Sequence, residues 1–219
     1  MKTKNNLVRI FSLLSTAVAI CFLNGCATPA SQTSMTVDKE ELHFKRSDTL
    51  KGQMRVAVVS GGTETNPMWK SKVDNVAFQG ALDQSLTLAG YKAINSDNAR
   101  YQIEVMMQDL DQPSFGLTYD VRSTVLYTVK SDNGLKTFPV TAVGTATTSD
   151  AFMAIERLKI ANERSIKENI KQFIQDVSAY FSSIPDGHIN SDKARDKCTE
   201  IGFVQGTENF EKCISKILK

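Results

Sequence analysis

The chain has 219 residues, 41% of them apolar, with 26 Lys and Arg against 24 Asp and Glu. That length allows one ordinary domain with an appendage and is short for two full domains. The near-neutral balance argues against a nucleic-acid binder, which needs a clustered cationic excess, and the two histidines, His43 and His188, are too far apart in sequence to suggest a metal or triad site.

The first segment reads as an export signal. Lys2, Lys4 and Arg9 precede a mainly apolar run from Ile10 to Leu23, shorter than the roughly 20 residues a membrane-spanning helix needs. It ends in Leu23-Asn24-Gly25-Cys26, which resembles the lipobox of bacterial lipoproteins. The resemblance implies cleavage between Gly25 and Cys26, with diacylglyceryl transfer to the Cys26 thiol and often acylation of its amine. Two or three acyl chains hold a protein on a bilayer where one is marginal. Ala27, rather than Asp, follows the cysteine, and by the same resemblance this implies the periplasmic leaflet of the outer membrane rather than inner-membrane retention. Loss of residues 1–25 removes three cations and no acid, turning a net charge of +2 slightly negative.

Residues 26–38 are small and polar and predict a flexible tether with a reach of roughly 20 Å. Residues 39–184 follow as one α/β domain. Glu41–Phe44 suggests a short edge strand, and Met54–Val59 a strand that stops at Ser60-Gly61-Gly62. Val73, Ala77, Phe78, Ala81, Leu82, Leu86 and Ala89 fall on one helical stripe, closed by Gly90. Alternation then marks a strand from Tyr101 to Met107 and a longer one from Leu117 to Val129. Ser131-Asp132-Asn133-Gly134 signals a hairpin, and a return strand runs from Phe138 to Ala146. Asp150 is a candidate cap for a long helix with Ile166, Ile170, Phe173, Ile174, Val177 and Phe181 on its apolar stripe, stopped by Pro185 and Gly187. The expected architecture is α/β of the two-layer α+β kind: a mixed sheet with two helices on one face.

Behind a lipobox, this element order over about Arg55 to Phe181 resembles small outer-membrane lipoproteins of the YajG type. It is similar in outline to the lipopolysaccharide-assembly lipoprotein, to auxiliary lipoproteins of ABC transporters and to the TolB amino-terminal domain. The resemblance brings no catalytic signature with it.

Residues 185–219 read as two short helices, one over 192–201 ending at Gly202 and one with Thr207 as its cap. Cys198 and Cys213 are an even pair in an oxidising compartment, so a structural disulfide stapling a helical hairpin is expected.

Other candidate chemistry is thin. Ser60-Gly61-Gly62-Thr63 sits where a phosphate loop would sit but lacks the Gly-Lys-Ser/Thr ending. Asp109 and Asp111 beside Gln112-Pro113 fit a solvated turn better than a paired-carboxylate site. Glu156, Arg157, Lys159, Glu163, Arg164 and Lys167 fit a solvated helix face with intrahelical ion pairs. The polar sheet face is the candidate partner surface, with Met106, Leu126 and Val143 as its apolar centre, Thr124 beside them and Arg122 as an anchor. No cofactor and no metal ligand set is expected. The sequence therefore points to a non-enzymatic lipoprotein, held to the membrane through Cys26, that serves an envelope protein partner in outer-membrane assembly or transport. A lipid or glycolipid carrier would instead need an apolar cavity behind Val121 and Val125. An envelope enzyme would need Asp109, Asp111 or His188 gathered in one cleft.

Overall fold

The computed structural model describes residues 27–65, 71–132, 134–183 and 191–217. The signal segment with Gly25 and Cys26, the turn residue Asn133, and Pro185, Gly187 and His188 lie outside the described residues.

Four strands form one sheet in the order β1-β2-β3-β4: β1 (Met54–Ser60), β2 (Tyr101–Asp111), β3 (Tyr119–Ser131) and β4 (Gly134–Ala146). β1 and β2 are parallel and the other pairs antiparallel, which makes the sheet mixed, as expected. Every second residue is buried from Tyr101 to Met107 in β2, Tyr119 to Val129 in β3 and Phe138 to Ala146 in β4, so one face meets the helices and the other meets solvent. Ser131 pairs with Gly134, whose φ of 129° suits glycine.

Two helices cover the buried face. The first, α2 (Asn75–Ala89), follows the one-turn α1 (Gln32–Met35). Asp74 caps α2 by accepting from Ala77 N at 2.8 Å, and Gly90 ends it in the left-handed region. The long helix α3 (Ala154–Ser183) lays Leu158, Ala161, Ile166, Ile170, Phe173, Ile174, Val177 and Phe181 on the sheet. Phe173 stacks on Tyr127 with ring centroids 4.0 Å apart.

A polar seam runs through this interface. Asn169 Nδ2 donates to the Val140 and Ser123 carbonyls at 3.1 and 3.2 Å, while its Oδ1 accepts from Tyr127 OH at 2.9 Å. Ser165 Oγ donates to Ser123 Oγ at 2.8 Å. Burial pushes the Tyr127 phenol well above its ordinary value, so it remains a donor. The seam is drawn tight at Gly144, where an added Cβ would run into the backbone at Ala161 and Ser165 of α3.

Three expectations are corrected. Residues 27–37 are not a free tether: Ala30, Met35 and Val37 join the main core. Their groove exists partly because Gly80 of α2 leaves room for the Gln32 side chain. Glu41–Phe44 is not an edge strand. Lys39–Glu41 forms a 3-10 turn, with Lys167 Nζ 2.7 Å from both Asp38 and Glu41. Asp150 does not cap the long helix, which starts at Ala154; it accepts from Thr147 N at 2.8 Å and pairs with Arg164 at 2.7 Å. The β3 boundary also moves, because Leu117 and Thr118 precede the strand and are exposed.

Helices α4 (Ser191–Glu200) and α5 (Glu208–Ile217) form the expected hairpin, joined by the Cys198–Cys213 disulfide with Cα atoms 6.0 Å apart. Cys198, Phe210, Cys213 and Ile214 make a small core separate from the main one. Thr207 Oγ1 accepts from Phe210 N at 3.3 Å, the predicted cap.

Gly144→Ala should cost about 1–3 kcal/mol, because helix backbone rather than a flexible side chain must move; urea unfolding of the mature chain measures this. Reducing Cys198–Cys213 should remove roughly 3 kcal/mol from the hairpin alone. Amide exchange should then rise across 191–217, while the unfolding midpoint of 39–183 stays where it was.

Candidate functional site

The topology collects several connections at one end of the sheet, here called the anchor pole. The C-terminal ends of β1 and β2, the start of β3, the end of β4 and the first turns of α2 and α3 all lie there. The first described residues are fastened at the same end. Ser71 Oγ donates to the Thr28 carbonyl at 2.8 Å, and Ala30 N donates to the Lys72 carbonyl at 3.1 Å. Ala27 and Pro29 line a cleft with Gly62, Glu64, Asp74 and Asn75. Further along, Ser31 N donates to Glu163 Oε1 at 2.8 Å. The Ser71 carbonyl accepts from Gln112 Nε2 and Asn162 Nδ2, which ties this entry to the end of β2 and to α3.

Arg157 braces the two loops of the pole. Its guanidinium is buried and donates to the Ala151 and Phe152 carbonyls at 3.0 and 2.6 Å and to the Gly116 carbonyl at 3.2 Å. It also lies 5.5 Å over the Tyr119 ring. Arg157 and Glu163 thus leave the expected solvated helix face. Of the expected set, Lys159 keeps an intrahelical pair with Glu156, whereas Arg164 and Lys167 pair off the helix, with Asp150 and with Asp38 and Glu41.

The open sheet face carries the predicted partner residues, all outward. Met106 of β2 stands beside Leu126 of β3, which stands beside Pro139 of β4, making one apolar rung. Val143 pairs with Arg122, and Asp111 lies on the other side of Arg122. Between these rungs stand Thr124 and Thr141, whose hydroxyls are 3.3 Å apart. The single apolar centre expected from Met106, Leu126 and Val143 is therefore two apolar spots separated by a threonine rung. The sequence reading missed Val58 and Pro139, which join this face from the outer strands; only the register shifts and pairings reveal them. The face is bounded by the Lys130–Glu104 ion pair at 2.6 Å and by Thr145 Oγ1 donating to Asp120 at 2.6 Å. Pro139 also removes a donor from the β4 edge, which opposes strand addition there.

The remaining candidates resolve into structural roles. Gly61 is required because an added Cβ would strike the Met107 carbonyl, and Gly62 N donates to Asn75 Oδ1 at 2.8 Å, so this loop spends its polar groups internally. Asp109 lines a cleft of about 240 Å³ with Gly61, Thr63 and Lys72, whereas His43 lines a different one with Glu40, Phe44 and Lys171. Among the described residues, no group of three His, Cys, Asp or Glu side chains is placed to hold a metal. Behind Val121 pack Leu158 and Ala161, and Val125 belongs to the main core with Ile166, Ile170 and Phe173.

Ion pairs favour the charged forms of Asp38 and Asp150. A hydrogen bond from Lys167, reinforced by its charge, lowers Asp38. Partial burial works against the Lys167 ammonium, but Asp38 and Glu41 outweigh it and raise its pKa. Arg164 first, with Thr147 N behind it, draws Asp150 down to about 2.

No family model and no curated protein matches the chain. Among solved structures it is similar to a "putative lipoprotein" from Caulobacter crescentus, at 10% identity and TM-score 0.41, over 66% of this chain and 94% of that one. It is also similar to a hypothetical protein from Chlamydia trachomatis, at 9% identity and TM-score 0.39, over 59% and 95%. Likeness at this level assigns the chain neither a family nor a function.

The Asp150 carboxylate sets a pH signature. Its folded pKa lies below the unfolded value of about 3.9, so its stabilisation is present above that value and is lost as pH falls through about 2. Asp150→Asn abolishes that increment. Its melting temperature should therefore fall less steeply than the wild type's as pH drops from about 4.5 to 2.5, read by circular dichroism.

Proposed function

We propose that the chain is an acyl-anchored envelope lipoprotein of the YajG type, acting without catalysis as an accessory in outer-membrane assembly or transport. The observation that carries this reading is the fastening of Thr28, two residues beyond the lipobox cysteine, to the folded body. A secreted enzyme with an incidental Cys26 has no need of a start fixed so close to its cleavage point. An acylated protein gains from it, because the domain then takes a defined position on the bilayer. Among the described residues no helix is long and apolar enough to cross a membrane, so attachment in this reading comes from lipid on Cys26. Ala27 after the cysteine favours the outer membrane by resemblance to lipoprotein sorting.

The open face supplies the partner surface. Arg122, with its planar donor fork, stands exposed between Asp111 and Val143, and the Met106-Leu126-Pro139 rung offers apolar contact one threonine rung away. The partner is an envelope protein docking on this face.

Cys26→Ser should abolish palmitate labelling and release the protein from the outer-membrane fraction; persistent labelling overturns the anchor. Photo-cross-linkers at Arg122 and Thr124 of the acylated protein should capture one envelope protein in stoichiometric yield, and Leu126→Asp should reduce that yield by about tenfold or more. Cross-links of unchanged yield in Leu126→Asp, or none at all, overturn the face as the docking surface.

A further inference from the structure

Four of the exposed large apolar side chains gather at the anchor pole. Phe115 and Leu117, in the loop between β2 and β3, are 87% and 75% exposed; Phe152 and Met153, in the connection from β4 to α3, are 93% and 49% exposed. Such side chains scattered singly would call for no explanation, but four of them in two adjacent loops form a patch. The loops are held by one side chain, because Arg157 donates to the carbonyls of Gly116, Ala151 and Phe152. The rings are thus presented outward by backbone that is fastened from beneath.

The patch lies at the end of the molecule where the chain enters from Cys26. Ser71 joins the carbonyl of Thr28 to Gln112, the residue that opens the Phe115 loop. Two extended residues span at most about 7 Å, so acyl chains on Cys26 would begin close beside Thr28. Such an attachment leaves the domain little freedom to swing, and the anchor pole must face the bilayer.

We propose that this pole is seated in the membrane interface, with Phe115, Leu117, Phe152 and Met153 buried at the boundary between headgroups and acyl chains. The proposal deepens the lipid-anchor reading and rests on it. The occupant is a lipid surface rather than a protein, because the acyl attachment brings a bilayer to these loops whatever else is bound. The chemistry is apolar insertion, not attraction to anionic lipid: the acidic side chains Glu64, Asp74, Asp109 and Asp111 stand at the pole with Lys72 and Arg122, so no cationic excess faces the lipid, and Arg157 is spent internally. Phosphatidylcholine, which carries no net charge, therefore suffices as the surface.

The test uses the acylated mature protein in phosphatidylcholine vesicles. With Cys26 acylated and Cys198 bonded to Cys213, a cysteine introduced at Leu117 or Phe152 is the single free thiol for an environment-sensitive fluorophore. Ile94→Cys and Leu135→Cys serve as controls. Both positions are exposed and lie at the opposite end of the sheet, and α3 alone is roughly 45 Å long. Labels at 117 and 152 should shift to the blue and be quenched by acyl chains carrying bromine, while labels at 94 and 135 remain water-like. Water-like emission at all four positions, on protein that floats with the vesicles, overturns the membrane-seated pole and leaves the anchor standing. Labels at 117 and 152 that are shielded only in native envelopes, with cross-links to a protein, overturn it in favour of a protein interface. Intact mass reads the anchor separately: a chain without acyl groups on Cys26 overturns the anchor and this inference together.

Discussion

The structure depends on how closely α3 can approach β3 and β4. Helices usually rest on a sheet through large side chains, which hold the two layers about 10 Å apart. Here Gly144, Ser123 and Ser165 are small enough for the α3 backbone to descend onto the sheet, and Gly144 leaves no room for even one methyl group. Descent on that scale buries polar backbone, and an unpaired buried carbonyl or amide would cost more than the contact gains. Asn169 meets this need by donating to two strand carbonyls while accepting from Tyr127. Around the seam, Phe173, Phe78 and Phe138 close ring contacts that fix the register of the helix.

Once α3 is placed, it organises the amino-terminal entry. Asn162, Glu163 and Lys167 occupy successive positions on its flank, and each takes hold of the arriving chain or of the segment beside it: the Ser71 carbonyl, Ser31 N, and the Asp38 and Glu41 carboxylates. These contacts run parallel to the helix, so the first segment is laid along it rather than projecting away. A shift of α3 on the sheet would loosen this entry. Packing in the core and placement of the amino-terminal entry are thus one problem, solved by one helix.

The sheet and its two helices were legible because both depend on simple periods. Tyr101, Ile103, Val105 and Met107 alternate with polar neighbours, and the α2 stripe ends at a glycine in the conformation glycine favours. The seam was not legible, since Asn162, Ser165 and Asn169 look like a solvent face unless one knows that Gly144 lies opposite. Residues 27–37 were misread for the same reason. Ala, Ser and Thr suggest a linker by composition, yet Ala30, Met35 and Val37 are enough to fill a narrow groove, and no window average detects three side chains. The partner face was half legible: alternation gave its residues, but the pairing that separates Val143 from Met106 and Leu126 depends on cross-strand register, which sequence spacing does not contain.

The proposed anchor and the open face constrain each other. The strands run away from the anchor pole, so a domain standing on that pole holds the open face upright against the bilayer. The Asp120–Thr145 pair then lies nearest the lipid, with Asp111, Arg122 and Val143 one rung farther out. The Met106-Leu126-Pro139 rung follows about 13 Å farther out, four residues along β3, and the Lys130–Glu104 pair lies beyond it. A partner matching this order would meet the cationic fork first beside the membrane and the apolar rung above it. A soluble protein approaching from the periplasm reaches that lower rung less easily than one already bound to the same membrane. In the proposed reading this order suits a membrane-associated partner, since attachment to the same bilayer raises the effective concentration of both surfaces and lets a modest patch hold what it would release in free solution.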